Sequence, residues 1–116
     1  MTLSSIAVSV VIILHIGFFI LESLLWTSTN VMKLFQNTEE AALVTKVLAL
    51  NQGFYNLGAA LILLWFQLTG NTHGLYAILI FLACMGVVGG LSANKAILLV
   101  QSLPATLALI ALYYQA

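Results

Sequence analysis

Four apolar stretches, each about as long as a bilayer core is thick, leave this chain little room to fold as anything but a membrane protein. They fall at about residues 4–27, 43–68, 74–92 and 96–114 of a 116-residue sequence. A helix rising about 1.5 Å per residue needs roughly twenty apolar residues to cross about 30 Å of hydrocarbon, and each stretch supplies close to that number. Hydrophobic residues make up 63% of the chain and charged residues 5%, and the mean hydropathy is +1.16. Those values lie far outside the usage of soluble domains. The expected fold is all-α, an integral membrane bundle of four transmembrane helices forming a single domain over residues 1–116. The lipid bilayer is its expected surrounding and no nucleic-acid partner is expected, because no polar segment is long enough for a separate soluble domain. Function must reside within or between the helices.

The first stretch reads as a retained span. It has no early lysine or arginine, and Glu22 and Trp26 stand where a signal peptide would carry small cleavage-site residues. Cys84 is the single cysteine, which excludes an internal disulfide and points to a packing role. The three basic residues, Lys33, Lys46 and Lys95, lie in or beside the first and third loops. Cationic loops stay in the cytoplasm, so the expected topology is multi-pass in the cell membrane with both termini outside.

The first loop is the longest connection, and its Val31-Met32-Lys33-Leu34-Phe35 run suits a segment lying flat at the interface, with Lys33 reaching toward headgroups. Asn37-Thr38-Glu39-Glu40 reads as the capped start of the second helix, its acidic residues favoured by the helix dipole. Gly70-Asn71-Thr72-His73-Gly74 is a tight turn, with His73 solvated.

The first helix carries His15, Phe19, Glu22 and Trp26 at spacings of four, three and four, which places them on one helical face. Lipid cannot satisfy an imidazole or a carboxylate, so that face is expected to point into the protein. The second helix holds the densest polar cluster, Asn51-Gln52-Gly53-Phe54-Tyr55-Asn56. Asn51, Gln52, Tyr55 and Asn56 share an arc of about 140°, expected to face the interior as helix-stitching groups or as the wall of a polar pocket. Lys46 enters at a depth comparable with Glu22. It either pairs with the carboxylate or snorkels to the interface.

The third helix has Gly86, Gly89 and Gly90. Gly86 and Gly90 form a small-xxx-small ridge for close packing against a helix of the same chain or of a second copy. In the last helix Gln101, Pro104, Ala105 and Ala108 make a small or polar stripe, with Gln101 at about the depth of Glu22. Pro104 frees the carbonyl of Val100, which predicts a kink.

His15 and Glu22 followed by Trp26, the Asn51-to-Asn56 block, the Gly86 and Gly90 glycines, and Gln101 with Pro104-Ala105 together resemble a known family. These are the small bacterial four-helix membrane proteins catalogued as domain of unknown function thirteen hundred and four, and the resemblance covers nearly the whole chain. It implies an integral protein of a bacterial inner membrane whose activity is not established, and it names no substrate. The small multidrug resistance transporters share a similar length, four helices and a glutamate in the first helix, but have no counterpart to the Asn51-to-Asn56 block. That likeness is one of architecture.

Three function classes follow. The first is binding or transport of a small polar or cationic solute at an interior site built on Glu22 and His15. Trp26, Asn51, Gln52, Tyr55, Asn56 and Gln101 would join that site, Gly86, Gly90 and Pro104 would serve packing, and two copies would associate as a homodimer. The second is an intramembrane acid or base enzyme acting on a lipid-like substrate. No metal-ligand spacing, nucleophile motif or nucleotide loop accompanies it, so no catalytic residue is assigned and neither cofactor nor metal is expected. The third is an accessory or assembly protein whose polar interior fixes helix register.

Overall fold

Short polar groups at the ends of the apolar stretches set the limits of the helices. The computed structural model describes residues 1–115, and among them the chain is helical without strands. Helix α1 runs Leu3–Phe19 and passes directly into a π turn, Ile20–Leu24, closed by the Leu25 N–H donating to the Ile20 carbonyl at 3.1 Å. Helix α2, Thr29–Leu34, is capped by Ser28, whose hydroxyl accepts from the Val31 N–H at 3.4 Å. Helix α3, Glu39–Leu68, begins where the Thr38 hydroxyl accepts from the Ala41 N–H at 3.1 Å. Gly70, at φ 65°, makes the left-handed turn that lets the chain reverse. Asn71 then accepts from the Gly74 N–H at 2.9 Å, opening α4, Thr72–Ser92. A second π turn, Leu98–Ser102, leads into α5, Leu103–Gln115.

Four helical segments are long and apolar enough to cross a membrane: Leu3–Leu24, Glu39–Leu68, Thr72–Ser92 and Leu98–Gln115. The expected number and order of spans are therefore present, with three adjustments. The first span ends at Leu24 instead of residue 27, because the π turn exhausts the helix there. The second begins at Glu39 instead of residue 43, since acidic residues that do not look apolar are favoured at a helix start. In the last span, the break expected at Pro104 takes the form of the π turn just before it. Pro104 has no N–H to offer the Val100 carbonyl, and a wider turn accommodates that loss. The predicted interfacial segment is α2, with Val31 buried and Lys33 exposed.

The residues group into two compact units, one of Met1–Leu14 with Ala59–Ala116 and the other of His15–Gly58. The first unit holds an apolar core of Val8, Val11, Leu63, Leu79, Ala105 and Ala108 with their neighbours. Its small residues decide how closely elements approach. A Cβ on Gly86 would lie 2.5 Å from the Ser102 backbone nitrogen, and one on Gly90 would run into the Leu98 side chain. The Gly86–Gly90 ridge thus receives the second π turn of the same chain. Ser102 fixes that contact by donating its hydroxyl to the Ala83 carbonyl at 3.0 Å. A polar clasp joins α1 to the end of α3, where Gln67 Nε2 donates to the Ser5 carbonyl at 3.2 Å and lies 3.3 Å from the Ser9 hydroxyl. Tyr76, Tyr113 and Tyr114 share one groove of this unit, as aromatic side chains do near a membrane interface.

Candidate functional site

The second unit has an interior of a different kind. Its buried residues are His15, Val31, Ala42, Ala49, Gly53 and Asn56, so polar and small groups stand where the first unit has leucine and valine. Gly53 explains how the chain around Glu22 reaches α3. A Cβ there would collide with the Ser23 hydroxyl and lie 3.0 Å from the Ser23 backbone nitrogen, so only glycine admits the π turn at this distance. Ser23 secures the contact, donating its hydroxyl to the Leu50 carbonyl at 2.9 Å.

With Ser23 docked on Gly53, the neighbouring groups fall into place. Asn56 Nδ2 donates to Glu22 Oε2 at 3.0 Å. On one side of that bond, Phe19 and Phe54 meet edge to face with centroids 5.2 Å apart. On the loop side, the Trp26 indole donates to the Thr45 hydroxyl at 3.1 Å, while Thr45 gives its own proton to the Ala41 carbonyl at 2.7 Å. Trp26 also packs on Phe35, with centroids 5.1 Å apart. His15, two turns before Glu22, is fully buried at 0% exposure and meets Phe18 edge to face at 5.3 Å.

Of the sequence-predicted residues, the structure brings Glu22 and Asn56 into direct contact and distributes the rest. Asn56 is 7% exposed and Glu22 is half-buried. Asn51, Gln52 and Tyr55 do not face inward with Asn56. They lie on the exposed side of α3, Tyr55 at 77% exposure. The expected arc is split because Gly53 and Asn56 turn toward the π turn, and a helix cannot present about 140° of its surface to one narrow neighbour. Trp26 does not continue the His15–Glu22 face. The helix has ended at Leu24, and the indole closes the loop end of the unit instead. Lys46 is exposed, and the side-chain partner of Glu22 is the neutral Asn56 amide, not that lysine. Gln101 belongs to the first unit, half-buried in its π turn.

Three contributors were not anticipated: Ser23, Gly53 and Thr45. Gly53 carried a signal, since a glycine set inside a polar block on a long helix marks a place of close backbone approach. Ser23 and Thr45 carried none, being ordinary hydroxyls whose importance comes from the partners opposite. Among the described residues no three His, Cys, Asp or Glu side chains come together in a way that could hold a metal ion. The arrangement can therefore present one carboxylate and the amide that steadies it.

No curated protein and no solved structure matches the chain. A family model described as "Protein of unknown function (DUF1304)" matches residues 9–113, a range that includes His15, the Glu22–Asn56 pair, both π turns and the Gly86–Gly90 ridge. This membrane protein with four candidate spans therefore belongs to that family.

Proposed function

We propose that this membrane protein binds a small cationic solute at Glu22, exchanging it for a proton, and carries it across the bilayer. One observation supports the reading above others: a half-buried carboxylate within a candidate membrane span is held by a neutral amide. A carboxylate in such a place is costly unless its charge is cancelled, and an amide cannot cancel it. A proton or a bound cation can. Asn56 donates through Nδ2 and keeps its carbonyl oxygen for a second role, so a cation at Glu22 has both a charged and a neutral oxygen within reach. His15 is the other ionisable side chain of the same span and the natural relay partner.

The enzyme reading has less support. The hydroxyl nearest Glu22 in sequence, Ser23, is committed to the Leu50 carbonyl, which leaves a carboxylate without an adjacent nucleophile.

The test is reconstitution into liposomes with a pH-sensitive dye inside. Addition of sodium, or of tetraphenylphosphonium as a bulky monovalent cation, should produce proton movement that depends on protein and disappears in Glu22→Gln. Equal responses from the wild type and Glu22→Gln, or no response to either cation, would defeat the reading.

A further inference from the structure

Three polar side chains on the outer side of α3 have no role in the site described above. Asn51, Gln52 and Tyr55 lie roughly mid-way along a 30-residue candidate span, and none of their side chains makes a hydrogen bond among the described residues. Hydrocarbon offers no partner for an amide, and each unmet group there costs several kcal/mol. Something other than lipid must cover them.

The pattern around them says what. Val44, Leu48, Asn51, Tyr55 and Gly58 follow one another at spacings of four, three, four and three, which is the heptad seam of paired helices. Val44 is 77% and Leu48 69% exposed, so this seam is open along two heptads. A Cβ placed on Gly58 would meet nothing within 4 Å, so the space that this glycine keeps clear is not used by the chain itself. Small residues at such positions let a second backbone approach closely. No charged residue stands in the seam. An asparagine at one seam position is its own complement across a two-fold axis, because each amide both donates and accepts. It also fixes the register of the pair.

We propose that α3 pairs with α3 of a second copy of this chain in parallel, about a two-fold axis along the membrane normal. Asn51 meets Asn51 of the other copy at that axis, Gln52 and Tyr55 bond at its flanks, and Gly58 sets the closest approach. The two Glu22 sites lie outside the seam, so pairing neither requires nor blocks occupancy of the carboxylate.

The test uses the whole chain in liposomes, with Cys84→Ser as background. Under mild oxidation Leu48→Cys should yield a covalent dimer, whereas Leu107→Cys, exposed on α5, should not. Single-molecule photobleaching should count two copies per complex. The double change Asn51→Leu with Gln52→Leu should weaken pairing about tenfold, the scale of one or two interhelical hydrogen bonds. Glu22→Gln should leave pairing unchanged, which separates this result from the fate of the cation-binding reading. Monomers at every protein-to-lipid ratio, equal cross-linking from Leu48→Cys and Leu107→Cys, or rapid labelling of Asn51→Cys by a membrane-impermeant thiol reagent would overturn the proposal. The last result would assign the stripe to an aqueous cavity. Should the double variant fail to fold, the Leu48→Cys and Leu107→Cys comparison decides alone.

Discussion

Ser23 and Ser102 each sit in or at the end of a π turn, each rests against a glycine, and each gives its hydroxyl to the carbonyl three residues before that glycine. The pairs are Ser23 with Leu50 and Gly53, and Ser102 with Ala83 and Gly86. Beneath the second turn lies an apolar core of leucines, valines and alanines. Near the first lie a histidine, an asparagine and small residues. The same seating device thus serves two purposes. In one unit it closes a dry interior, and in the other it holds a carboxylate in place. A π turn often marks a functional position, yet here the turn alone does not, because Gln101 and Glu22 both precede the docked serine and only Glu22 can carry charge.

If the first unit is held by packing, its largest sensitivity should be to lost volume. Leu79→Ala is expected to lower stability by about 2–5 kcal/mol, read as a fall in the unfolding midpoint in bicelles. A fall below 1 kcal/mol would show that this core is not what holds the unit. Next in size is the contrast between the glycines. Gly86→Ala puts a methyl against the Ser102 backbone nitrogen and should cost about 1–3 kcal/mol with no side-chain rescue. Gly53→Ala meets the Ser23 hydroxyl first, so pairing it with Ser23→Gly should recover part of the loss. A double-mutant cycle on the same unfolding signal would reveal that recovery, and strict additivity would argue against the contact.

Smaller still are the serines. Ser23→Ala and Ser102→Ala should each cost about 0.6 kcal/mol, the mean for interhelical hydrogen bonds in membranes. Unequal values would show that the two seats are less alike than their geometry suggests. Glu22→Gln should change stability least, within about 0.5 kcal/mol, because an amide can still accept from Asn56. Its effect on proton exchange in liposomes should nonetheless be complete. A protein that lost stability on that change without losing exchange would reverse the roles assigned to the two units.

The four spans were legible in the sequence because length and apolarity alone decide them. The inward placement of Glu22 was legible as well, since a carboxylate on an apolar helix has few other options. Its partner was not. Asn51, Gln52, Tyr55 and Asn56 looked equivalent on a helical wheel, and a wheel cannot show that Gly53 turns one edge of that arc toward the neighbouring chain while the other edge stays outside. The stop at Leu24 was also hidden, because Leu25 and Trp26 are as apolar as the residues before them. Pro104 did announce a break, since a missing N–H is a local property. The glycines of α4 announced a close approach, while the choice of Ser102 and Leu98 as the groups they receive depended on the path of the chain after Ser92.

A π turn differs from an α turn by a single added residue, so the position of Glu22 depends on chain length as much as on side-chain chemistry. Without Leu21, the same stretch could close as an ordinary helix, and the carboxylate would swing by about 100° away from Asn56. A one-codon deletion there would therefore remove the site while every other residue remained. Chains of this kind that differ by one residue between Phe19 and Leu25 should be sorted by that length before their side chains are compared.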